Sequence, residues 1–423
     1  MEMGHGDGQS RNIGELSCGP HTQNFMMNNP ERLAHLANRF DIEDPVFAED
    51  FEATLAHLVS NCPVAHSQVG AGYRVLNRYA DVRRCAQDWR TFSSADGWML
   101  NPPEGNIPIL PEDLDPPYHS NWRCVLNPFF RLESVATLEA QARGYARELV
   151  RQFAAQGHCE FIADFAAQLP GLILFKHLLI VPVEKLPELF LDIERYSFGP
   201  VADRAAAFGR VYAFLEALLE RSEAVDGNPD DLLGMILTGV DDASGQPCAW
   251  ADKVHTALDV VFGGLATTTH AMAGAVLELA RDADLRRTVL TVPGKLDGMV
   301  EETVRMYAPV VAVGRTVRAD VTVAGEQFTA GDRIALNFAA ASRDPSVCEN
   351  PGVFDAARKE IVHTAFGVGP HRCLGEHLAR LEIRVTVEEM LRQIPDFHLP
   401  PGARPRYESG QLRTMTTLPL SWQ

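Results

Sequence analysis

The sequence predicts a mainly helical protein with small β-sheets, and three observations carry that prediction. Apolar residues recur at helical spacing through most of the 423-residue chain, while β-branched alternation is confined to a few short pieces. Hydrophobic residues make up 46% of the composition, enough for a large core.

Residues 1–30 are polar, rich in Gly and Asn, and are expected to be a flexible N-terminal segment. From 31 to 423 no Pro, Gly or Ser-rich linker interrupts the chain, so one domain is expected there despite the length. Helical periodicity marks 30–38, 50–60, 80–88, 132–156, 183–197, 205–224, 250–282, 295–306 and 374–393. Strands are expected at 72–76, 315–323 and 333–336, with Ala324-Gly325-Glu326 and Ala330-Gly331-Asp332 as turns. Tyr196-Ser197-Phe198-Gly199-Pro200 ends one helix and leads to the next, a connection suited to a lid.

The net charge of −18 argues against non-specific nucleic-acid binding. Eight scattered cysteines include no C-x-x-C pair, which fits a reducing compartment, and a cytoplasmic location is expected. No signal peptide or membrane anchor is evident: the apolar run 170–183 is broken by Lys176 and His177, and 257–266 is too short to span.

One decapeptide concentrates the chemistry: Phe366-Gly367-Val368-Gly369-Pro370-His371-Arg372-Cys373-Leu374-Gly375. Glycines at 367, 369 and 375 permit backbone angles and close approaches that let amide N–H groups face the cysteine sulfur. The helix that follows would put positive potential near Cys373 and favour its thiolate.

This loop resembles the heme-binding signature of the cytochrome P-450 family, Phe-x-x-Gly-x-x-x-Cys-x-Gly, with Phe366, Gly369, Cys373 and Gly375 at the four fixed positions. The resemblance is closest to the camphor-hydroxylase type, notably in His377-Leu378-Ala379-Arg380 and Ile394-Pro395-Asp396-Phe397, and extends over most of the chain after about residue 50. It implies a fold in which heme b lies between a long distal helix and the helix after the cysteine loop, with Cys373 as the iron ligand and Phe366, Gly367, His371 and Gly375 around the cofactor. It further implies a buried ionic triad of Glu302, Arg305 and Arg358 beneath the heme, and propionate contacts from His119, Arg123, Arg315 and His371.

The distal helix of the resemblance falls on 257–270, where Gly263 and Gly264 would let the helix open beside the iron and Thr267 supplies a hydroxyl. The family's acid at the preceding position is replaced by Ala266, so the usual proton relay is incomplete. His270, on roughly the same face, is a candidate to assist a water chain. Pocket walls are expected from Trp98, Met99, Ile107, Ile109, Val261, Val311 and Leu412, which suit a compact apolar substrate such as a terpenoid or small aromatic.

No flavin or nicotinamide fingerprint occurs, so electrons from NAD(P)H would arrive through an external ferredoxin and ferredoxin reductase, steered by Arg123, Arg372, Arg380 and Arg384. The implied activity is O2-dependent hydroxylation or oxidative demethylation. Ala266 keeps peroxide-driven oxidation and nitric oxide reduction open on the same scaffold, and a non-enzymatic heme ligand sensor is the third reading.

Overall fold

The computed structural model describes residues 31–423, apart from positions 32, 34, 36, 37, 45, 46, 48, 49, 103, 104, 199, 200, 224–230, 242, 243 and 409. The N-terminal segment, most of the expected helix at 30–38 and the Gly199-Pro200 turn of the expected lid therefore lie outside the described residues.

Helix α1 (Phe51–Asn61) buries Phe51, Leu55, Leu58 and Val59 on one face. Strands β1 (Val64–Ser67) and β2 (Tyr73–Leu76) follow, then α2 (Tyr79–Gln87) and the two-residue β3 (Phe92–Ser93). With β4 (Ala312–Val317) and β5 (Arg333–Asn337) these strands form a five-stranded sheet ordered β1-β2-β5-β4-β3. The β2–β5 pair is parallel and the others are antiparallel, with Arg315 facing Ile334 across the β4–β5 ladder.

The expected strand 315–323 is two strands. Ala312–Val317 joins the main sheet, whereas Val321–Val323 pairs with Glu326–Phe328 in a separate hairpin. Its two-residue turn has φ of 52° at Ala324 and 86° at Gly325, the left-handed pair such hairpins require.

Helices α3 (Tyr118–Phe130), α4 (Glu139–Phe153), α5 (Leu186–Phe198) and α6 (Val201–Glu223) precede the central α7 (Trp250–Arg281). The expected helix over 132–156 is broken, because Leu132–Ala136 ends where both the N–H and the hydroxyl of Thr137 bond back to the Ser134 carbonyl. Helix α7 has 32 residues, about 48 Å at 1.5 Å per residue. Its length and composition would suit a membrane span, but 72% of its apolar window is buried inside the protein. It is the axis of the larger core cluster, which runs from Trp122 to Trp422.

Helix α8 (Lys295–Tyr307) crosses α7 where Gly274 leaves room for the Tyr307 ring: a Cβ at 274 would stand 2.3 Å from Tyr307 Cγ. On another face of α8, a Cβ at Gly298 would stand 2.2 Å from the Ala356 carbonyl oxygen. That close approach brings the segment bearing Arg358 against α8. Helix α9 (Glu376–Gln393) starts directly after the cysteine loop and packs along α4, α7 and α8.

Candidate active site

Local backbone chemistry shapes the cysteine loop. Gly367 and Gly369 have φ of 67° and 77°, and a Cβ at Gly369 would come within 2.7 Å of the Ala86 carbonyl at the end of α2. Gly375 differs from the sequence expectation: its φ is −85°, and a Cβ there would meet nothing within 4 Å. It leaves open space rather than enabling a turn. The Cys373 N–H donates to the Phe366 carbonyl at 2.7 Å, and the Gly375 N–H points at the sulfur.

Cys373 keeps accessible surface although protein encloses it deeply enough for burial to push its thiol up to about 11. The two facts together place the sulfur on the wall of an interior chamber. The Gly375 amide, the Arg123 guanidinium and the N-terminus of α9 favour the anion that a metal would require.

Beneath the loop, Glu302 and Arg305 of α8 lie one turn apart and are fully buried. Arg305 donates Nε to Glu302 Oε2 at 2.8 Å and Nη2 to Oε1 at 2.7 Å, and Nη1 reaches the Pro351 and Ser342 carbonyls at 2.8 and 3.2 Å. Arg358 joins through Nε and Nη2, both 3.3 Å from Glu302 Oε1, and the Asp355 N–H adds a bond at 3.1 Å. The three expected residues thus meet, with Glu302 held as an anion below the usual carboxylate range by these donors against the opposing effect of burial.

His119 and Arg123 of α3, Arg315 of β4 and His371 of the loop gather at the chamber's rim. The His119 and His371 rings are 4.3 Å apart, and His371 Nε2 lies 3.1 Å from Ser94 Oγ. Burial first, and neighbouring arginines second, push the imidazoles down to about 4 and about 2, so both are neutral near pH 7. Arg315 is 3% exposed, and among the described residues its side chain hydrogen-bonds only to the Gly314 carbonyl at 2.7 Å. Among the described residues, neither Arg315 nor Arg123 has a carboxylate within ion-pair distance and the buried His119 Nδ1 has no hydrogen-bond partner. Two unanswered guanidiniums and an unused imidazole nitrogen fit the two propionates of a heme.

Across the chamber, α7 is buried along most of its length but opens at Asp259, Gly263, Gly264, Ala266 and Thr267. The helix continues through the two glycines instead of opening, and the Thr267 hydroxyl donates to the Gly263 carbonyl at 2.7 Å. Only Asp259 Oδ1, at 4.0 Å, approaches the place of a Cβ on Gly263. Arg123 lies within electrostatic reach of Cys373, Glu112 and Asp259, so α3, the cysteine loop and this face of α7 border one space. Tyr196, Phe208 and Phe262 bind α5 and α6 to α7 beside it, with the two Phe rings stacked at 5.7 Å.

Several expected site residues stand elsewhere. His270 is 3% exposed and its Nδ1 accepts the Met415 N–H at 3.0 Å, which makes it a packing residue that ties the C-terminal strands to α7 rather than a chamber group. Val261 faces the main core, and Val311 is buried with Phe40, Phe47 and Leu55. Val310, bridged to Leu412, keeps the accessible surface expected of Val311. Trp98, Met99, Ile107, Ile109 and Leu412 also remain partly accessible.

The expected cationic docking face is largely neutralised. Arg372 pairs with Glu376 at 2.6 Å, Arg380 with Glu376 at 2.9 Å and Glu301 at 3.1 Å, Arg384 with Asp297, and Arg123 faces the chamber. Sequence reasoning also missed Glu112 and Asp259. The available signal was an aspartate inside the apolar run 257–266, four residues before Gly263 and eight before Thr267.

A cysteine sulfur at a helix N-terminus, set in an enclosed chamber whose rim carries unpaired cations, defines a heme-thiolate protein. The sequence profile described as cytochrome P-450 matches residues 295–419, the part that holds α8, the ionic triad and the cysteine loop. The chain is 30% identical over 365 residues to a probable cytochrome P-450 127A1 of Sinorhizobium fredii, covering 85% of each chain. It is 29% identical to a steroid C26-monooxygenase of Mycobacterium tuberculosis, over 85% of this chain and 90% of that one. Its fold superposes on the crystal structure of cytochrome P-450 CYP101C1 with a TM-score of 0.83 and 29% identity, covering 91% of this chain and 97% of the other.

The chain belongs to the cytochrome P-450 family. It is an oxidoreductase of the monooxygenase class, with thiolate-ligated heme b as cofactor and electrons supplied by external donors.

Proposed function

We propose that the protein inserts one oxygen atom from O2 into a C–H bond of a small, largely apolar substrate, with electrons passed from NAD(P)H through a separate ferredoxin and its reductase in the cytoplasm. One unit spanning 31–423 carries this activity. The observation behind the reading is the chamber itself: Cys373 on one wall, Thr267 on the opposite helix and Trp98, Ile107, Ile109 and Leu412 at its accessible margins. Heme bound through Cys373 supplies oxygen activation, which a thiolate ligand promotes by donating electron density.

The chain's own groups divide the remaining tasks. Arg123, Arg315, His119 and His371 would hold the propionates, and the triad around Glu302 would keep the loop rigid. The Thr267 hydroxyl, now donating to Gly263, can turn toward a chamber water and pass a proton. The steroid C26-monooxygenase relative supports an alicyclic skeleton in the substrate. The deciding assay supplies ferredoxin, reductase and NAD(P)H: substrate-dependent electron consumption with a hydroxylated product is expected, and consumption without any oxygenated product would sink the reading.

Ala266 favours a second reading, peroxide-driven oxidation, because peroxide already carries the protons that a neighbouring acid would deliver. Turnover with hydrogen peroxide alone, at a rate above that with ferredoxin, would select it.

A further inference from the structure

Three acidic side chains crowd the segment 112–115, and two of them build the loop. Asp113 accepts the N–H groups of Trp98 at 2.8 Å and Ile109 at 3.1 Å, and Asp115 accepts the Ser94 N–H at 2.9 Å and the Ser93 hydroxyl at 2.5 Å. Glu112 accepts no hydrogen bond among the described residues and keeps accessible surface although protein encloses it on every side, as Cys373 does. Asp259 repeats that combination from the opposite wall, one turn before Gly263. The Leu110 N–H donates to the His255 carbonyl of α7 at 3.5 Å, which lays the segment bearing Glu112 beside the turn before Asp259, and both carboxyls are within electrostatic reach of Arg123.

Heme would take up the chamber's two guanidiniums. Two guanidiniums, Arg123 and Arg315, answer the two propionates of heme, and the imidazoles of His119 and His371 are neutral. Glu112 and Asp259 are then left unmatched, and buried carboxylates without a counter-charge are costly. Burial first, with Asp113 adding repulsion at both and Glu112 repelling Asp259, pushes the two carboxyls above their usual range, a shift that a nearby cation would oppose.

We propose that Glu112 and Asp259 form an anionic recognition point in the substrate chamber, and that the substrate carries a cationic nitrogen on its otherwise apolar skeleton. The inference rests on the heme-thiolate monooxygenase reading and names the substrate class of that same site.

The test compares benzyltrimethylammonium with its neutral carbon twin, neopentylbenzene, on the holoenzyme. A quaternary nitrogen has no lone pair, so it cannot ligate the iron, and binding is read from the shift of the ferric heme band and from calorimetric heat. The cation is expected to bind at least about tenfold more tightly than the twin, and Glu112→Gln and Asp259→Asn are each expected to cut that preference roughly five- to tenfold while leaving the twin's affinity unchanged or improved. A cation that fails to bind, binds no tighter than the twin, or keeps its preference in the double amide variant overturns the inference. The reduced carbon monoxide spectrum is taken on the same preparations. If wild-type protein lacks the thiolate band, the monooxygenase reading fails and takes this one with it; a normal band without cation preference removes this one alone.

Discussion

Arg305 grips Glu302 with two parallel hydrogen bonds, Nε to Oε2 at 2.8 Å and Nη2 to Oε1 at 2.7 Å, and neither side chain has any exposure. Removing one partner strands a buried charge and frees the carbonyls of Ser342, Pro351 and Val353. Arg305→Ala is therefore expected to lose about 3–5 kcal/mol of stability and to purify with little heme. Urea unfolding and the heme-to-protein ratio check this; near-wild-type values for both would show the pair to be dispensable.

Gly298 predicts a steric effect of opposite sign to helix propensity. Alanine is the better helix former by about 1 kcal/mol, but at 298 its methyl would strike the Ala356 carbonyl, so Gly298→Ala should destabilise by about 1–3 kcal/mol. At Gly144, within α4, a methyl would meet nothing within 4 Å, and Gly144→Ala should stabilise by up to about 1 kcal/mol. Equal shifts in the two melting temperatures would contradict the packing account.

Arg315 carries a buried charge that awaits an anion. Arg315→Met is expected to raise the stability of the heme-free protein by about 1 kcal/mol or more and to weaken heme retention about tenfold. Heme transfer to a competing apo-globin measures the second effect. A variant less stable without heme and unchanged in retention would assign Arg315 to packing alone.

Glu301 makes stability depend on acid. Burial raises its pKa, but hydrogen bonds from His363 and Arg380 outweigh burial and hold the carboxyl down at about 2, against 4.5 when unperturbed. Because the folded value is the lower one, the contribution is complete above about pH 4.5 and disappears as pH falls toward 2. Glu301→Gln should flatten the fall in unfolding midpoint across that window, and an unchanged slope would place the acid sensitivity elsewhere.

Thr267 and Ala266 separate proton supply from scaffold. Thr267→Ala should lower product formed per NAD(P)H consumed several-fold, and Ala266→Asp should raise turnover by about a hundredfold, the lower end of what a positioned acid contributes. Heme content and the carbon monoxide spectrum should stay constant in both. Coupling that ignores Thr267 would remove it from proton handling.

Much of this was legible in advance, because the relevant signals are local. Gly367 and Gly369, the cysteine that follows them and a helical period directly after define the ligand loop within a short stretch, and Glu302 and Arg305 are neighbours on any helix. Long, strongly periodic helices such as α7 and α8 came within two residues of their observed ends, whereas 132–156 broke at Thr137 through a side-chain bond that no periodicity reports.

The chain's order of residues was enough to show its family and to point to Cys373 as the iron ligand and to Ala266 in place of an acid, since each depends on a short pattern. Folding alone decided which groups meet across the chamber. Only there does His270 turn to Met415, Val311 sink into the second core, Arg380 and Arg384 find Glu301 and Asp297, and Glu112 come within electrostatic reach of Asp259. The reason is physical: whether a charge is paired, buried or left waiting depends on partners far off in the sequence, and distance along the chain does not encode their distance in space.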